Sequence, residues 1–234
     1  MNNRNEEEIH DRAWGGTPIQ RGRTTADEVE ERLILAIARG DKLPGERITE
    51  SEVAAALNVS RVPAREAMQK LELRGILVSG KEQRGLRVAD YSPRRIAELF
   101  ELRLAIETIF FKHVMAPGHD RAPLVKDLDK ILKTMGELSG SGDPVALGSI
   151  DLEFHRAVAR HSGNELAAQI WDGLAQHMII VFCRDWADAS DRTGEVQLHA
   201  RLIDFVRDGD PADIEAVLVN HLATPRARGA SAAT

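Results

Sequence analysis

The sequence predicts a mainly α chain in two parts, a small unit of three short helices and a β-hairpin followed by an antiparallel bundle built only of helices. Three observations carry this. Capping residues open three short segments of helical period before residue 74. Two short aliphatic runs then flank a polar turn. From Ser92 onward every apolar pattern repeats at the helical period, and the openings include Ser92-Pro93, Asp143-Pro144 and Asp210-Pro211.

The segment 1–23 is polar, charged and interrupted by Gly15, Gly16, Pro18 and Gly22, which reads as a mobile tail. Order is expected from Thr25, which forms a capping box with Glu28 and starts a helix to Ala38 with Val29, Leu33, Ile34 and Ile37 on one face. After the turn Leu43-Pro44-Gly45, Thr49 and Glu52 cap a second helix carrying Val53, Ala54 and Leu57. Asn58 suits a turn, Ser60 caps a third helix to Leu73, and Gly75 ends it. Ile76-Leu77-Val78 and Leu86-Arg87-Val88 are expected to pair as strands. Three helices and this hairpin make a winged helix-turn-helix over 24–90. The second part, 91–224, is expected to hold helices at about 92–115, 121–138, 143–163, 165–185, 192–207 and 211–222, with a frayed tail over 225–234.

Composition limits the function classes. With 43% hydrophobic and 29% charged residues over 234 positions the chain has a globular balance, and its longest apolar runs read as too short for the roughly 20 residues of a membrane span. Its single cysteine, Cys183, gives no internal disulfide, and the opening residues lack a signal peptide's apolar core, so the chain is expected to be cytoplasmic. The net charge of −6 disfavours nucleic acid on its face, yet Ser60 to Asp90 carries seven cations against four anions. In a helix-turn-helix the N-terminal residues of the second helix meet base edges, which here are Ser60, Arg61, Val62, Ala64 and Arg65. Arg61 and Arg65 lie one turn apart, and an arginine fork can take O6 and N7 of a guanine. Lys81, Arg84 and Arg87 around Gly85 supply a basic wing for the phosphate backbone or minor groove.

The second part places four polar residues on apolar stripes. Asp151 and His155 share a face with Leu147, Phe154 and Val158, His199 with Leu202, Ile203 and Val206, and His221 with Ile214, Val217 and Leu218. A carboxylate and three imidazoles on three helices can hold a divalent cation, while each histidine alone reads more often as a hydrogen-bonded core residue, as His177 does beside Leu174 and Val181. Arg103 sits beside the stripe of Leu99, Leu102 and Ile106, either reaching a pocket or pairing with Glu107 four residues on.

The run Leu43-Pro44-Gly45-Glu46, Leu57-Asn58-Val59-Ser60-Arg61-Val62-Pro63-Ala64-Arg65-Glu66-Ala67 and Gly75-Ile76-Leu77 resembles the GntR family of transcriptional regulators over about residues 25–90. The resemblance implies a homodimer on an inverted-repeat operator, with Arg61, Arg65 and Gly85 touching double-stranded DNA. Members often carry arginine where Ser51 stands, a departure at a DNA-contact position. Residues 97–222, with Glu101-Leu102-Arg103, Asp151-Leu152-Glu153-Phe154-His155, Ser162-Gly163-Asn164, His199 and His221, resemble the FCD ligand-sensing domain of that family's FadR-type subgroup. This implies a metal ion on Asp151, His155, His199 and His221, with zinc foremost and nickel or manganese also suited to such ligands. It further implies an acidic effector, for which Arg103 is the expected carboxylate partner. The expected function is repression relieved by a small organic acid. The alternative is a metal-dependent enzyme with an accessory helix-turn-helix, against which stands the lack of an inward carboxylate to act as base.

Overall fold

The computed structural model describes residues 23–80, 85–141, 143–186 and 192–229. The proposed tail over 1–22, the wing residues Lys81 and Arg84, and the last five residues of the frayed segment lie outside the described residues.

The chain runs α1 (Thr25–Ala38), β1 (Arg47–Ile48), α2 (Glu50–Leu57), α3 (Arg61–Leu73), β2 (Leu77–Ser79), β3 (Leu86–Val88) and then α4 (Pro93–Val114). It continues through α5 (Ala122–Leu138), α6 (Pro144–His161), α7 (Glu165–Trp186), α8 (Thr193–Asp208), a 3-10 turn Pro211–Asp213 and α9 (Ile214–Gly229). The first helix is capped one residue earlier than the sequence suggested. Thr24 accepts from the Asp27 amide at 3.2 Å, and the Asp27 carboxylate accepts from the Thr24 amide at 2.9 Å. Aspartate reaches back as well as glutamate does, so the competing box won. Thr49 caps α2 as expected, Asn58 closes it in the left-handed region at φ 51°, and Asp143 caps α6 through two amides.

The hairpin of β2 and β3 gains a third strand, giving the order β1-β3-β2, all antiparallel, with Arg47 opposite Arg87 and Ile48 opposite Leu86. Two residues carry no readable period, so the sequence did not announce β1. At Gly85, φ is +113° and an added Cβ would lie 3.0 Å from the Arg47 side chain and 3.2 Å from the Ile48 carbonyl, so the wing closes over β1 only with glycine there. The last helix runs on to Gly229, past the expected stop at Leu222.

Helix α7 is the spine of the molecule. Over Glu165–Arg184 it is long and apolar enough to cross a bilayer by length and composition, which corrects the expectation that no run was. Its apolarity has a nearer use: 61% of that stretch is buried, packed by α6, α4 and α1. One apolar core runs from Val29 and Ile34 in α1 through Leu71 and Ile76 to Phe110, Phe154, Trp171 and Phe182 in the bundle.

Candidate functional site

Two sites emerge. The first lies on the face formed by α2, α3 and the wing. Arg61 and Arg65 are exposed, as are Ser60 and Val62 beside them, and with Arg47, Ser51, Gln69 and Gly85 the two arginines line a cleft of about 780 Å³. Ala64 is fully buried, so it packs α3 onto the core and cannot meet a base edge; a helix that presents positions 61 and 65 outward turns position 64 inward. Ser60 ends the turn without a side-chain cap bond, which corrects its expected capping role and leaves its hydroxyl free of the helix. Ser51 accepts a hydrogen bond from the Arg61 guanidinium, so the residue that departs from the family pattern anchors an arginine instead of supplying one. Arg47 was missed because β1 was missed. Arg87 turns back and donates to the Gly45 carbonyl at 2.8 Å.

The second site is a buried polar centre inside the bundle, where α4, α6, α8 and α9 meet. His155, His199 and His221 are buried and offer ring nitrogens all within 4.8 Å of one another. His155 Nε2 and His221 Nε2 lie 3.3 Å apart, and Asp151 Oδ1 lies 3.1 Å from His199 Nε2. Ligand atoms at about 2.0–2.1 Å from a tetrahedral zinc stand about 3.3 Å from each other, which the His155–His221 and Asp151–His199 pairs match, while the three ring nitrogens as a set are held only to within 4.8 Å. The other ring nitrogens of two histidines face acceptors: His199 Nδ1 donates to the Glu195 carbonyl at 2.8 Å, and His155 Nδ1 lies 2.9 Å from Glu107 Oε2. A proton held on Nδ1 leaves the Nε2 lone pair free for a cation. Several buried atoms here have no hydrogen-bond partner, among them His199 Nε2, Asp151 Oδ2 and Arg103 Nη2. Orphaned atoms in a dry core are costly unless something satisfies them.

Arg103 is buried and makes the helix-neighbour contact to Glu107 at 2.7 Å, with its Nη2 3.7 Å from Asp151. The rings of Trp171 and Phe182 lie 5.5 and 5.3 Å from the guanidinium. Burial pushes the carboxyls of Asp151 and Glu107 up, but the opposing charges outweigh it and hold both at about 2, His199 and Arg103 acting on Asp151, Arg103 and His155 on Glu107. Burial pushes His221 well below the ordinary imidazole value, aided by His199 and His155 beside it. For His199 burial works the same way, but the Asp151 carboxylate prevails and raises it. Once all three rings are neutral, as ligation of a cation requires, the centre holds the Asp151 and Glu107 carboxylates against the Arg103 guanidinium. Glu107 was the residue missed. Sequence spacing treated it only as an i+4 partner of Arg103, although position 107 falls one turn from Arg103 on the same inward face. It is an inward carboxylate, yet its tie to Arg103 and its depressed pKa leave it a poor general base. His177 lies apart from the centre, bonded to Tyr91 and the Arg74 carbonyl.

Comparison with known proteins assigns both halves. Residues 25–88 match the bacterial regulatory proteins of the gntR family, and residues 98–224 match the FCD domain. A probable D-xylose utilization operon transcriptional repressor of Paenarthrobacter nicotinovorans is 27% identical over 200 residues, covering 86% of each chain. The gluconate operon transcriptional repressor of Bacillus subtilis is 32% identical over 151 residues, covering 64% of this chain and 60% of that protein. Among solved structures, E. coli McbR/YncC superposes with a TM-score of 0.70 at 18% identity over 88% of this chain and 96% of its own. A putative GntR regulator from Rhodococcus sp. RHA1 gives 0.69 at 24% identity over 89% and 99%. The fold is thus that of GntR regulators, and both of these relatives are transcriptional repressors by name. The chain belongs to the GntR family of bacterial transcriptional regulators, in the group that carries an FCD domain.

Proposed function

We propose that this chain is a cytoplasmic, homodimeric repressor whose operator binding is released by a small organic acid, with residues 24–90 reading DNA and residues 91–224 sensing the acid. The observation that carries the reading is the convergence of Asp151, His155, His199 and His221 in one buried centre. These four residues would hold a divalent cation, zinc foremost, which when bound supplies a Lewis-acid anchor for an anion. A divalent charge turns the centre net positive, so a carboxylate completes it. Arg103 Nη2, buried without a hydrogen-bond partner and 3.7 Å from Asp151, supplies a donor for that carboxylate.

At the other end, Arg61, Val62 and Arg65 meet base edges in the major groove, while Ser60 and the wing around Gly85 with Lys81 and Arg84 set the register on the backbone. The dimer is supported by the face where α4 and α7 lie side by side. Leu102 and Ile109 on α4 and Leu166 and Ile170 on α7 are exposed apolar residues at helical spacing, continuous across Ile106 and Gly173.

The test is selection of bound duplexes from a random pool by the zinc-loaded protein at physiological salt, followed by competition with hydroxy- and dicarboxylic acids. An enriched inverted repeat, released by an acid, supports the reading; a folded, zinc-loaded dimer that enriches no sequence overturns it. Arg103→Lys keeps the charge beside Glu107 but loses the planar fork, so affinity for the releasing acid is expected to fall about tenfold by calorimetry. Unchanged affinity removes Arg103 from the pocket.

A further inference from the structure

Helix α7 touches both the buried polar centre and the DNA-binding unit. On its inner side Trp171 and Phe182 flank the Arg103 guanidinium, and Trp171 lies 5.9 Å from the His155 ring. On its other side Gln176, His177 and Arg184 reach the DNA-binding unit. Gln176 donates to Glu30 of α1 at 2.9 Å and accepts from Arg74 at 2.9 Å. Arg74 also pairs with Glu30, closing a three-residue ring across the domain boundary. Arg184 donates to the Tyr91 carbonyl at 3.3 Å, in the segment that joins the two domains.

His177 is the centre of this boundary. Its Nε2 lies 2.9 Å from the carbonyl of Arg74, the residue that ends α3, and its Nδ1 lies 3.0 Å from the Tyr91 hydroxyl. A carbonyl can only accept, so Nε2 carries the proton and donates to Arg74. Nδ1 is then a lone pair that accepts from Tyr91. Both His177 and Tyr91 are buried, so neither contact is readily exchanged for water. The end of α3 is also held from α4, where Arg95 donates to the Gly75 carbonyl at 2.7 Å.

We propose that His177, oriented by Tyr91, is the positioning residue that fixes the angle of the recognition helix against the sensing domain, and that α7 is the element through which events at Arg103 reach the DNA-reading face. The second half of this rests on the effector reading above; the first does not. A helix is stiff along its axis, so a displacement of Trp171 and Phe182 by a ligand at Arg103 moves Gln176 and His177 with it. The Arg74 carbonyl lies at the end of α3, whose start carries Arg61 and Arg65, so a small rotation there is amplified at the base edges.

The experiment uses the full-length, zinc-loaded protein with spin labels at Leu73→Cys on α3 and Thr134→Cys on α5, both exposed positions, diluted into unlabelled chains so that only intrachain pairs report. The native sequence is expected to give one narrow distance by pulsed dipolar spectroscopy. Tyr91→Phe, which removes a single oxygen, and His177→Leu are expected to broaden it and add a second population. Zinc stoichiometry should stay unchanged. His177→Gln, which restores a donor to the Arg74 carbonyl, is expected to recover much of the narrow peak. A narrow, native distance in folded Tyr91→Phe and His177→Leu proteins overturns the proposal. This measurement needs neither DNA nor an effector, so it can fail while the regulator reading stands, and the reverse.

Discussion

At the scale of single residues, what a side chain does here follows from what surrounds it more than from its type. Glu107, an ordinary helix neighbour of Arg103 by spacing, sits fully buried with its second oxygen 2.9 Å from His155 Nδ1. Carboxylates in that position orient a ligating imidazole and raise its basicity. Glu107→Gln is therefore expected to weaken zinc binding about 10- to 100-fold with the fold retained, measured by competition with a chromophoric chelator. Native affinity in this variant would make Glu107 a partner of Arg103 alone. On the DNA face, Arg61 is exposed while Ala64 is buried. Arg61→Ala should relax selectivity at one base step by about 1–3 kcal/mol in duplex competition. Ala64→Leu should instead destabilise the head by about 1–3 kcal/mol in urea unfolding, through overpacking. Equal loss of affinity for all duplexes in Arg61→Ala would reduce it to a backbone contact.

At the scale of elements, α7 has to be apolar enough to sit inside a bundle and still polar at the one turn that meets the DNA-binding unit. That turn contains His177, whose imidazole is pushed below its ordinary value of 6.5 by burial, with Arg95 nearby adding to the effect. The sign follows from linkage. The folded form prefers the neutral ring, so the stability it contributes is present above the unfolded value and is lost as pH falls from about 6.5 toward the lower folded value. An imidazolium also has no lone pair for the Tyr91 hydroxyl, and the positive charge of Arg95 nearby opposes it. Protection factors of the amides at the end of α3, corrected for intrinsic exchange, are expected to fall as pH drops below about 6.5, and His177→Gln should flatten that dependence. An unchanged profile in the variant would assign the acid sensitivity to another group.

At the scale of the whole molecule, one continuous core joins the head to the bundle, so the two parts move as packed neighbours rather than as beads on a linker. The proposed dimer needs two heads held at a fixed spacing, and the exposed apolar face of α4 and α7 is the surface proposed for the second copy. Ile170→Glu places a charge at the middle of that face. It is expected to leave the monomer folded, shift the mass in light scattering from dimer to monomer, and abolish tight binding to an inverted repeat while weak half-site binding persists. A dimer that survives this change would move the interface elsewhere.

By itself the sequence determined the parts: the order of helices, the hairpin, the arginines of α3 and the identity of the four inward polar residues. These are local matters of period, caps and turn chemistry, and they survive without knowledge of neighbours. Tertiary structure alone decided the rest. It paired two residues at 47–48 into a sheet. It turned Ala64 inward, brought Glu107 to His155 across helices, and tied His177 to Tyr91 and Arg74 over sequence separations of 86 and 103 residues. Such contacts depend on how helices cross rather than on where they begin, and no period along one chain encodes a crossing.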